Sequence, residues 1–106
     1  MTAALEVDAS ANGGSVVLAP GQALMIRLDE NPTTGYRWAL EASEGLQLDA
    51  NVFIPGAAGV GAAGERRLTL QATAPGTHQL VIVQRREWEP PANAFARFEL
   101  TVTALP

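Results

Sequence analysis

The chain contains no cysteine and no lysine, and only one histidine and one tyrosine. Without cysteine there are no disulfides, no thiol chemistry and no thiolate-held metals. The compartment stays open on that ground, because cysteine-free domains work in any redox setting. Without lysine every cation is arginine, and seven of these face 11 acidic residues, for a net charge of −4. That balance argues against nucleic acid or an anionic membrane as partner. No apolar run is long enough to span a bilayer. The first twenty residues show neither the basic start nor the apolar stretch of a secretory leader. The protein is therefore expected in the cytoplasm, or in the periplasm or outside the cell if a leader has been removed.

What is present suits one all-β domain over residues 1–106. A chain of 106 residues with 47% hydrophobic content supplies one core and no second domain. Apolar and polar residues alternate over many short segments, the signature of half-buried strands. An edge strand is read near Leu5 to Val7 and a turn at Asn12-Gly13-Gly14. A short strand over 15–18 ends at Pro20-Gly21. Over 22–29, Leu24, Ile26 and Leu28 point one way, Met25 and Arg27 the other. Over 36–41, Tyr36, Trp38 and Leu40 oppose Arg37, Ala39 and Glu41. Leu46, Leu48 and Val52 alternate with Gln47, Asp49 and Asn51 up to about Ile54. Leu68, Leu70 and Ala72 alternate with Arg67, Thr69 and Gln71. Leu80-Val81-Ile82-Val83 is apolar on both faces, as a central strand requires. Phe98, Leu100 and Val102 close the chain against Glu99, Thr101 and Thr103. No helix and no repeat is evident. Short strands with Gly/Pro turns predict an Ig-like antiparallel β-sandwich.

If each of the last six strands runs antiparallel to its predecessor, the loops alternate between the two ends. The 31–35, 55–64 and 87–93 loops then share one end. The tight turns 42–45 and 73–76 share the other. Unusual loops gathered at one end of a sandwich make a binding surface.

Catalytic chemistry is poorly supported. His78 falls at the end away from the long loops and reads as a strand-start surface residue. Ser10, Ser15 and Ser43 have no evident partners for a triad. Asp29, Glu30 and Asn31 offer calcium-type oxygens, but a solvated strand end is the stronger reading, since no EF-hand spacing accompanies them. Gly59, Gly61 and Gly64 lack the following lysine and helix of a phosphate loop. Nothing calls for a cofactor, and the chain reads as a binder, not an enzyme.

Two stretches stand out. In Asn31-Pro32-Thr33-Thr34-Gly35-Tyr36-Arg37-Trp38, proline fixes its own φ and biases the preceding residue to extended geometry. Gly35 permits a positive φ. A stiff, uncharged loop thus runs into a strand anchored by Tyr36 and Trp38, the latter a core residue. In Arg85-Arg86-Glu87-Trp88-Glu89-Pro90-Pro91 a tryptophan sits in a proline-stiffened loop. It is either an interaction hot spot or an aromatic folded back over the core.

These stretches resemble the loops of the chagasin family, inhibitors of papain-like cysteine peptidases. Asn31 to Tyr36 match the first motif in full. Gly61-Ala62-Ala63-Gly64 is similar to the second, Gly-x-Gly-Gly, with Ala63 in place of glycine. Arg86-Glu87-Trp88 is similar to the third, Arg-Pro-Trp, with Glu87 in place of proline. The resemblance implies an Ig-like fold whose three loops enter a papain-like cleft. It implies that the Thr33 to Gly35 backbone covers the catalytic cysteine and that Trp88 packs on the cleft wall. Arg86 would support that loop or contact the enzyme, and residues 61–64 would flank the cleft on the other side. Such a wedge works as a monomer. The competing reading is an Ig-like adhesion or structural module using the same loops.

Overall fold

The computed structural model describes residues 3–56, 64–86, 88–90 and 94–106. Eight strands run in the order β1 (Leu5–Val7), β2 (Gly14–Leu18), β3 (Leu24–Glu30), β4 (Tyr36–Ala42), β5 (Leu46–Ile54), β6 (Gly64–Ala72), β7 (Gly76–Arg86) and β8 (Ala96–Ala104). They form two four-stranded sheets, β1-β3-β6-β5 and β2-β8-β7-β4. Two single-turn 3-10 helices, Ala9–Ala11 and Pro32–Thr34, lie between strands.

Alternation decides which residues meet between the sheets. Leu24, Ile26 and Leu28 of β3 and Leu68 and Leu70 of β6 face Leu80 and Ile82 of β7 and Phe98, Leu100 and Val102 of β8. Each is at most 1% exposed, and burying such a side chain is worth about 1.5–3 kcal/mol. β7 lies between β8 and β4, and Val83, on its other face, is buried as well. This matches the expected central strand.

β5 departs from the alternation read in the sequence. Its register against β6 shifts between Leu48 and Ala50. The extra residue of a bulge reverses the faces of everything beyond it. Val52 and Ile54 therefore lie on the exposed side, opposite Arg67 and Glu65, and Phe53 pairs with Arg66 instead. Leu48 keeps the inward parity but is 38% exposed on this edge strand.

The two amino-terminal strands add parallel pairs at the edges, β1 with β3 and β2 with β8. All other pairs are antiparallel. The expected alternation of β3 to β8 agrees with those pairs. Glu30 is opposite Gly64, Ile54 opposite Glu65 and Tyr36 opposite Arg86, so the three long connections leave from one end. At the other end, Thr73 N–H donates to Gly45 O at 2.9 Å, and Gly76 is opposite Ala104. Leu5, opposite Leu24, and the carboxyl-terminal residues after Ala104 lie at that turn end as well.

Candidate functional site

The 31–35 loop is built from its own side chains. Asn31 Oδ1 accepts from Thr33 N–H at 3.1 Å and from Thr33 Oγ1 at 2.7 Å. This side-chain cap starts the 3-10 turn, a habit of asparagine before proline-led turns. Thr34 Oγ1 donates to Asn31 O at 2.9 Å and also accepts from Tyr36 N–H at 3.2 Å. The two threonines thus tie the turn at entry and exit, and neither depends on solvent for those bonds. Gly35 then adopts φ +79°, the left-handed region where only glycine is unstrained. A Cβ there would stand 3.1 Å from Trp88 Cη2, so this glycine also makes room for the tryptophan.

The base of the loop is fixed by a residue read only as a solvated strand end. Glu30 is 2% exposed. Its Oε2 accepts from Arg66 Nη2 at 2.6 Å, and its Oε1 from Arg66 Nε at 3.2 Å and from Trp38 N–H at 2.7 Å. Trp38 Nε1 donates to Asp29 O at 2.8 Å. One carboxylate therefore links β3 and β6 of one sheet to β4 of the other, directly beneath the loop. Arg66 also donates to Asn51 Oδ1 at 3.1 Å and lies 5.6 Å from the Phe53 ring centre. Both Glu30 oxygens and the Asn31 side-chain oxygen already accept hydrogen bonds inside the protein, so two of the three residues in the calcium reading of Asp29, Glu30 and Asn31 are committed elsewhere. Among the described residues no cluster of three or more metal-binding side chains occurs.

The third loop reaches the first through Arg86. Its guanidinium carbon sits 4.4 Å from the Tyr36 ring centre and 5.9 Å from that of Trp88. Arg86 Nε points to Thr34 O at 3.4 Å and Nη1 to Glu89 Oε1 at 3.4 Å. The chain turns at 86–89, where Glu89 N–H donates to Arg86 O, and Arg85 Nη1 donates to Glu89 O at 3.1 Å. Trp88 is 73% exposed; it rests on Gly35 rather than folding back over the core. Trp38, by contrast, is buried as expected.

Gly64 opens β6 opposite Glu30. A Cβ there would fall 2.4 Å from Phe53 Cζ and 2.5 Å from Ile54 O, so close packing at the foot of the second loop requires glycine. Gly61, Ala62 and Ala63 of that loop, and Glu87 of the third, lie outside the described residues. The structure therefore brings Asn31, Thr33, Thr34, Gly35 and Tyr36 together with Arg86 and Trp88, with Pro32 opening the turn and Gly64 at its margin.

His78 lies far from this cluster. Its Nε2 is 2.8 Å from Ala74 O, and its ring occupies the space a Gly45 Cβ would need. It is half-buried and joins the two tight turns.

A model of the chagasin family peptidase inhibitors matches residues 17–102. The chain belongs to the chagasin family. As a chagasin-family chain it is a peptidase inhibitor and not an enzyme. It is 36% identical over 86 residues to amoebiasin-1 of Entamoeba histolytica, covering 77% of this chain and 82% of that protein. It is 28% identical over 106 residues to chagasin of Trypanosoma cruzi, covering 93% and 96%. In three dimensions it is similar to the cysteine protease inhibitor EhICP2 from Entamoeba histolytica, with a TM-score of 0.85, 21% identity and 96% of each chain covered. PbICP-C, solved in complex with falcipain-2, gives a TM-score of 0.62 at 18% identity over 95% of this chain and 90% of that one. These two likenesses establish the chagasin-type, Ig-like sandwich. Within the third loop, Arg86 and Trp88 are the residues that touch the first loop.

Proposed function

We propose that this chagasin-family protein is a reversible, non-covalent inhibitor of papain-like cysteine peptidases that seats its loop end in the active-site cleft. The observation that carries the reading is the packing of Trp88 on Gly35 at the tip of a turn already closed by Asn31, Thr33 and Thr34. Its fold relative held with falcipain-2 points to the same class of target. In this reading the backbone of Thr33 to Gly35 covers the catalytic cysteine. Trp88 lies on one cleft wall, and residues 61–64 flank the opposite side. The Pro32–Thr34 segment is helical and Gly35 left-handed. A peptidase that attacks extended peptides finds no bond presented in that form. Because the turn is tied internally, little ordering remains to be done on binding, which favours affinity.

Titration of papain with the intact protein tests this. Activity should fall to zero at one equivalent, and the mass of the inhibitor should be unchanged afterwards. Trp88→Ala should raise the inhibition constant about tenfold or more while the thermal midpoint stays put, since the side chain is mostly in solvent. Full peptidase activity at excess inhibitor would reject the reading and favour an adhesion or structural role for the same loops.

A further inference from the structure

Trp88 is not the only aromatic left in solvent at the loop end. Phe95, in the return from the third loop to β8, is 71% exposed. Its ring centre lies 5.2 Å from that of Tyr36 at an interplanar angle of 37°. Tyr36 in turn carries Arg86 at 4.4 Å, and Arg86 meets Trp88 at 5.9 Å. Trp88, Arg86, Tyr36 and Phe95 thus form one continuous stack with an exposed aromatic at each end. Phe95 is held in place by its backbone, whose N–H donates to Gln84 O at 2.7 Å. A groove of about 580 Å³ opens beside it, lined by Asn31, Thr33, Thr34, Tyr36 and Phe95 among others.

We infer that Phe95 and this groove form a second contact with the peptidase, taking an apolar side chain from the rim of its cleft and setting which peptidases bind well. The inference rests on the inhibitor reading above. The occupant follows from the walls and from charge. Aromatic rings and threonine methyls offer apolar surface. Of the ions that line it, Glu30 is matched by Arg66 and Arg86 by Glu89, and the Asp29 carboxylate is an acidic group that would repel an anionic side chain, so the apolar walls decide the occupant. The groove shares Thr33, Thr34 and Tyr36 with the loop that enters the cleft, so a bound peptidase cannot avoid its edge. Exposed rings on a rigid support are the usual anchors of protein interfaces, and a large solvent-exposed apolar side chain at a binding end is better explained by a partner than by the core.

The test is a set of inhibition constants for wild type, Phe95→Ala, Phe95→Leu and Trp88→Ala against several papain-like peptidases, with thermal midpoints for each protein. Phe95→Ala should weaken inhibition by about tenfold for some peptidases and much less for others, with an unchanged midpoint. Phe95→Leu should keep part of the lost affinity. Trp88→Ala should weaken inhibition of all of them. Unchanged constants for Phe95→Ala, or one equal loss across the panel with a lowered midpoint, would reduce Phe95 to a support for Tyr36 and overturn the inference. Failure of the wild type to inhibit any peptidase would instead overturn the inhibitor reading itself.

Discussion

Gly35 carries two separate constraints, and they can be measured apart. Its φ of +79° strains any other residue, and its missing Cβ leaves room for Trp88. Gly13 has the same conformation, φ +81°, with nothing within 4 Å of the Cβ position. Alanine at either site should cost about 1 kcal/mol in urea denaturation from left-handed strain alone. Only Gly35→Ala should also displace Trp88 and weaken inhibition, which a side-by-side peptidase assay reads directly. The need for glycine at 35 was legible from proline, threonine and glycine chemistry. What glycine makes room for was not, because Trp88 is 53 positions away and reaches it only through the pairing of Tyr36 with Arg86. Phe95 passed unnoticed for a related reason. It belongs to no motif and no alternating run, and only its stacking on Tyr36 gives it meaning.

At the scale of elements, the sequence pattern located the strands, most by alternation and β7 by a run apolar on both faces, and it failed where a strand changes register. Nothing in Leu48-Asp49-Ala50 marks a bulge, so the outward turn of Val52 and Ile54 came only with the pairing to β6. The parallel edge pairs of β1 and β2 were equally silent, since pairing direction leaves no trace in a three- to five-residue strand. Glu30 was misread because an acidic strand end normally faces water. Here β6 supplies Arg66 from 36 positions away. Removing one partner of a buried ion pair leaves the other uncompensated, and Glu30→Gln should cost about 3 kcal/mol in urea denaturation. Inhibition should weaken too, since Trp38 N–H and the root of the 31–35 loop share that carboxylate. Adding Arg66→Met to Glu30→Gln should return most of the stability, because the stranded charge is then gone.

The molecule as a whole is an elongated sandwich of 44 × 31 × 21 Å with its candidate site confined to one tip. That polarity was legible in the sequence, because strand count alone fixes which loops share an end once neighbours run antiparallel. It is preserved in the pairs that join Glu30 to Gly64 and Tyr36 to Arg86. The same polarity sends Leu5 and Ala104 to the opposite tip, beside the two tight turns. The domain can therefore be hung by either extremity with its business end pointing outward, like a brush held by its handle. Coupled to a resin or sensor chip through a carboxyl-terminal tag, it should capture a papain-type peptidase within about threefold of the affinity it has free in solution. A tag inserted between Pro55 and Gly64 should destroy that capture, and surface plasmon resonance on the two formats would show the contrast.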